Sequence, residues 1–202
     1  MRISDDRYSR ERLRMELALR FLKHEARTQT IRAWTGLSDD RIRKLYRSYL
    51  SQARRYLPRH RGKSPQQVSY FTRSQRLQHE TAVLASVLSL LGVLPAAGAT
   101  AGAACVAGTG AAAGPGTAGA GAALPPPLAR GEQLCQAFEA YRMLLPSAQI
   151  TFEHAVFLAT ALTRGDQLRL AGCSACGSLM VAERFSLHAK RCHHCASRWH
   201  SH

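Results

Sequence analysis

Acidic side chains are scarce in this chain: 13 aspartates and glutamates stand against 28 lysines and arginines, leaving a net charge of +15. The deficit is uneven, because residues 1–80 hold 20 of the 28 cations and 8 of the 13 acids. So basic a half points to a polyanionic partner, either nucleic acid or an anionic membrane surface. Long apolar runs are missing too. The longest charge-free apolar piece, TAVLASVLSLLGVL, has 14 residues before Pro95, fewer than the roughly 18 to 20 that span a bilayer. It predicts a buried core helix from about His79 to Leu91 and no membrane partner. The first residues mix both charge signs without the apolar core of a signal peptide, which predicts a cytoplasmic protein with reduced cysteines.

Catalytic patterns are also absent. No Gly-Lys-Ser/Thr follows the glycines, so they build no phosphate cradle, and no His-Glu-x-x-His occurs. No nucleophile and base can be paired from the residues present, and an enzyme is not expected.

What is present divides the chain into four parts. Residues 1–95 form a basic helical lobe and residues 96–127 a low-complexity Ala/Gly/Pro linker or insert, read as flexible and ending in a stiff polyproline piece. Residues 128–170 continue the helical core, and residues 171–202 form a small lobe around the remaining cysteines. Cys105 is stranded in the insert, and Cys135 falls on the apolar face of a helix predicted over Gly131 to Leu145. A further helix is predicted to start near Thr151.

In the basic half, Leu13, Leu17, Ala18, Phe21 and Leu22 recur at three- and four-residue steps and predict an amphipathic helix over residues 10–24. A short helix from about Thr28 to Trp34 follows. Then Gly36 permits a tight turn, Leu37 plugs the core and Ser38 is a candidate N-cap. Asp39 and Asp40 suit the positive end of the next helix. Ile42, Leu45, Tyr46 and Tyr49 make its apolar stripe, while Arg41, Arg43, Lys44 and Arg47 face outward. This is the layout of a helix-turn-helix, whose second helix enters the major groove and whose arginines pair with guanine edges or phosphates. Arg32 departs from it, standing where a small residue eases the packing of the two helices. A plain helical hairpin with a solvated basic face is the competing interpretation.

The second signal is Cys173-x2-Cys176 and Cys192-x2-Cys195, with 15 residues between the pairs. Two such turns bring four thiolates to the corners of a tetrahedron, the arrangement of a closed structural zinc site. Gly177 suits the turn behind the first pair, and Lys190 and Arg191 offset the charge of four thiolates. Disulfides need an exporting signal, and a redox pair is expected alone beside a βαβ unit. An iron–sulfur cluster takes the same ligands, and spacing does not separate the two. His188, His193 and His194 are alternative ligands or phosphate contacts, and Arg198 and Trp199 further candidates for nucleic acid. Short strands are expected around the cysteine turns. The whole predicts a mainly α fold with an N-terminal helix-turn-helix-like lobe and a C-terminal four-cysteine zinc-binding lobe.

The stretches ARTQTIRAWTGLSDDRIRKLYRSYL, RGKSPQQVSYFTRSQRLQHETAVLASVLSLLG, EAYRMLLPSAQITFEHAVFLATALTRG and LRLAGCSACGSLMV with RCHHC resemble the C subunit of the bacterial flagellar master transcriptional activator, the FlhC family. The resemblance covers nearly the whole chain apart from the Ala/Gly/Pro segment, which falls between helices that the family joins closely. It implies a hetero-oligomer with an FlhD-type partner subunit, binding to double-stranded promoter DNA of flagellar operons and activation through RNA polymerase. It also implies zinc on Cys173, Cys176, Cys192 and Cys195. A zinc-containing adaptor with non-specific nucleic-acid binding is the alternative function.

Overall fold

Apolar residues at helical spacing dominate the observed architecture, beginning with α1 (Arg2–Lys23), whose Leu17, Ala18, Phe21 and Leu22 are buried. The computed structural model describes residues 2–53, 64–94, 126–186, 191–192 and 194–196, with residues 2–6, 50–53 and 126 as backbone alone. α2 (Thr28–Thr35) and α3 (Asp39–Ala53) follow, then a 3-10 turn (Val68–Phe71), α4 (Gln75–Leu90), α5 (Pro126–Leu144), α6 (Phe152–Arg164) and an antiparallel hairpin of β1 (Leu168–Gly172) and β2 (Leu179–Glu183). The fold is mainly α, as the periodicity predicts, with a small C-terminal β-hairpin beside the first cysteine turn, where short strands are expected. No helix among the described residues is long and apolar enough to cross a membrane.

Three helix starts differ from the sequence expectation. α1 begins at Arg2, well before residue 10. α4 begins a turn before His79, because the Ser74 hydroxyl caps it by accepting from the Leu77 amide at 3.2 Å. α5 begins at Pro126, five residues before Gly131, so the polyproline piece ends inside a helix. Proline is tolerated there because amides of a first helical turn have no intrahelical partner to lose. The rest of the low-complexity stretch, with Cys105, lies outside the described residues, as do His188, Lys190, His193, Arg198 and Trp199.

One core joins the helices. Phe152 meets Phe21 and Phe138 edge to face with ring centroids 5.0 and 5.2 Å apart, and His24 stacks on Phe152 at 5.0 Å. α5 comes close to α1 at Gly131, where a Cβ would lie 2.7 Å from Leu17 Cδ2. Around the edge, Arg20 of α1 pairs with Glu132 and Glu139 of α5. The Arg20 guanidinium holds the Glu139 carboxyl below its ordinary range.

Two buried carboxylates tie loops to this core. Glu80 is 3% exposed; its carboxylate accepts from Tyr141 Oη at 3.2 Å, from the amides of Gln149 and Ile150 at 2.8 and 3.3 Å, and from Arg76 at 3.0 Å. Glu153 is 6% exposed and accepts from the Arg27 amide at 2.8 Å, Thr30 Oγ1 at 2.9 Å and Ser64 Oγ at 2.8 Å. Glu153 thereby supplies the cap that α2 lacks locally.

The hairpin is rooted in the same core. Leu168 of β1 and Val181 of β2 belong to it, while Met180 faces a second small cluster with Cys173 and Cys192. Register pairs Leu168 with Glu183 and Gly172 with Leu179, which places Cys173 in the turn that closes the hairpin.

Candidate metal centre and basic helical surface

Strand alternation and one glycine build the first cysteine turn. After β1, the Cys173 amide donates to the Ser178 carbonyl at 2.9 Å and the Gly177 amide returns to the Cys173 carbonyl at 2.9 Å. Gly177 has φ +72°, a left-handed conformation that disfavours any side chain. The second turn closes in the same way: the Ala196 amide donates to the Cys192 carbonyl at 2.9 Å. Both C-x2-C segments are therefore single turns closed four residues on.

These turns bring the four sulfurs of Cys173, Cys176, Cys192 and Cys195 within 4.8 Å of one another. The sulfurs of Cys176 and Cys192 lie 3.6 Å apart, far beyond the ~2.05 Å of a disulfide. All four are free thiols. A tetrahedral ion bound ~2.3 Å from each sulfur sets sulfur pairs about 3.8 Å apart, so the donor set fits a four-coordinate metal. Cys173 Sγ accepts from the amides of Cys192 at 3.1 Å and Ala175 at 3.4 Å, which pulls its thiol down to about 6. The Ser178 hydroxyl lies 3.0 Å from Cys176 Sγ and lowers that thiol also. Cys195 is pushed up to about 12 by hydrogen bonds to Cys176 and Cys192. Sulfurs that accept amide hydrogen bonds carry thiolate charge well, the form a metal requires. Cys135 lies on the buried face of α5, where burial pushes its thiol up, and it stands outside the cluster.

The second candidate surface is built by α2, the turn and α3. Gly36 ends α2 with φ +70° and donates to the Arg32 carbonyl at 2.9 Å, Leu37 is 4% exposed, and the Ser38 carbonyl receives the Ile42 amide. Arg32 does not intrude between the helices; it is exposed and reaches Asp39 at 3.8 Å across the turn. The apolar stripe of α3 is shallower than its sequence pattern: Ile42 is buried, but Leu45, Tyr46 and Tyr49 are only partly so. Arg41, Arg43, Lys44 and Arg47 are all exposed. Arg41 is paired with Glu11 of α1, and Arg43 with Asp40 at 3.1 Å. Lys44 and Arg47 have no side-chain partner among the described residues.

Sequence reasoning missed Ser178 and Glu11. Ser178 stands two residues after Cys176, and a hydroxyl beside a thiol ligand is a readable signal. Glu11 lies 30 residues before Arg41 in the chain, with nothing local to reveal the pairing.

No protein-family model matches the chain, and no curated protein matches it. Fold and site define a mainly helical protein with a hairpin-borne cluster of four cysteines that can hold a metal ion.

Proposed function

We propose that this chain is a DNA-binding subunit of a transcriptional activator of the FlhC type, working in the reducing cytoplasm with an FlhD-type partner at flagellar promoters and through RNA polymerase. The observation that carries the reading is the short turn at Gly36 and Leu37, after which α3 presents Arg43, Lys44 and Arg47 to solvent. That geometry suits a helix entering a major groove. The metal is zinc, which prefers four thiolates in a closed tetrahedron, and its role is structural because four protein ligands leave no position for a substrate or water. The resemblance of the sequence to the FlhC family adds the partner and the promoters.

The ion pairs of Arg41 and Arg43 favour a second reading, a zinc-containing adaptor whose basic half holds nucleic acid without sequence preference. Fluorescence anisotropy of the zinc-loaded protein with its D-type partner, on a flagellar promoter fragment and a shuffled one at equal salt, separates the two. Base contacts cost about 1–3 kcal/mol per mismatched pair, whereas phosphate contacts alone give steep salt dependence without discrimination. A clear preference for the promoter is expected. Equal affinity for both fragments would overturn the activator reading in favour of the adaptor.

A further inference from the structure

The first half of α1 places a second set of cations beside α3. Arg7, Arg10, Arg12 and Arg14 are exposed, and from Arg7 onward the first fully buried residue of this helix is Leu17. The stretch does not stand apart, because Glu11 is ion-paired with Arg41 of α3. Residues three and four apart share a helix face, so Arg7 and Arg14 flank Glu11 on the face of α1 turned toward α3. Arg12 is engaged by Glu16 at 2.8 Å. Arg7 and Arg14, like Lys44 and Arg47, have no side-chain partner among the described residues.

Four cations without a side-chain partner among the described residues thus stand on two helices that the Glu11–Arg41 pair joins. Seven residues of helix place the Arg7 and Arg14 backbones about 10 Å apart, close to three base-pair steps of duplex at roughly 3.4 Å each. The spacing of the two arginines thus matches that of phosphates along a duplex seated against α3. The exposed apolar residues Tyr8 and Met15 stand one position beyond Arg7 and Arg14, each turned about 100° away from its arginine.

We infer that the N-terminal half of α1 is a phosphate clamp, in which Arg7 and Arg14 bind the backbone of the duplex that α3 faces and the Glu11–Arg41 pair holds the two helices in register. The inference rests on the proposed nucleic-acid function and adds a positioning surface to it. Phosphate contacts fix register and carry no sequence information.

The test is the salt dependence of duplex binding by the full zinc-loaded chain, followed by anisotropy between about 50 and 200 mM salt, where each lost phosphate contact lowers the log–log slope by about 0.9. The double variant Arg7→Ala, Arg14→Ala is compared with Lys44→Ala, Arg47→Ala and with wild type, and circular dichroism establishes that each is folded. A slope lower by about 2 in the α1 variant, with discrimination between promoter and shuffled duplex unchanged, is expected. An unchanged slope in the α1 variant beside a reduced one in the α3 variant would overturn the clamp and leave the DNA-binding reading standing. A change in discrimination in the α1 variant would also overturn it, since the arm would then read bases. Failure of wild type to bind any duplex, or slopes unchanged in both variants, would sink the underlying reading together with the clamp.

Discussion

The amide of Cys192 donates to the sulfur of Cys173 at 3.1 Å, so the second cysteine turn is docked on the first through backbone as well as through a shared metal position. The sulfur of Cys173 is thus both a candidate ligand and the anchor of the opposite turn.

Cys173→Ser is expected to abolish stoichiometric metal binding and unfold the end of the hairpin, because binding energy at such a site is folding energy. Metal content by atomic absorption, together with hydrogen exchange at residues 173–183, checks this. Retention of one metal per chain in the variant would refute the four-cysteine site. Chelation of the wild type should reproduce the same local loss of protection while the helical core stays protected.

Removing the Glu80 carboxylate should be costly out of proportion to its size. Glu80→Ala strands Tyr141 Oη and the amides of Gln149 and Ile150, and a loss of about 3 to 5 kcal/mol is expected for breaking such a buried network. Urea unfolding measures it; a loss below about 1 kcal/mol, the level of a typical net hydrogen bond, would show that water satisfies those donors instead.

Gly131→Ala places a methyl 2.7 Å from Leu17 Cδ2, and Leu17 is fully buried. Although alanine is the better helix former by about 1 kcal/mol, the overpacking should win and destabilise by about 1 to 3 kcal/mol. Pairing it with Leu17→Val in a double-mutant cycle should recover part of the loss, which identifies the clash as the cause.

Acid should weaken the α1–α5 seam in two stages. Burial is the main cause lowering His24 below its ordinary 6.5, while the hydrogen bonds from Arg20 are the main cause lowering Glu139 below its ordinary 4.5. In each case the folded value lies below the unfolded one. Each contribution is therefore present above the unfolded value and is lost as pH falls through the folded value. Urea midpoints should decline below about pH 6.5 and again below about pH 4.5. His24→Phe should flatten the first decline and Glu139→Gln the second; identical profiles in wild type and variants would remove both assignments.

Periodicity and spacing are local properties, and what depends on them was legible in the sequence. The apolar steps of Leu17, Ala18, Phe21 and Leu22 set the buried face of α1, Gly36 and Leu37 set the turn before α3, and the two C-x2-C pairs named the four cysteines that converge. Charge alone placed the arginines of α3 outside, since an unpaired guanidinium is too costly to bury. Only the tertiary structure decided which charges are spent on the protein itself. Arg41 meets Glu11, Arg20 meets Glu132 and Glu139, and Glu80 and Glu153 sit buried among donors from distant segments. Such partners are chosen by helix packing across tens of residues, and no window of sequence contains both ends of the contact.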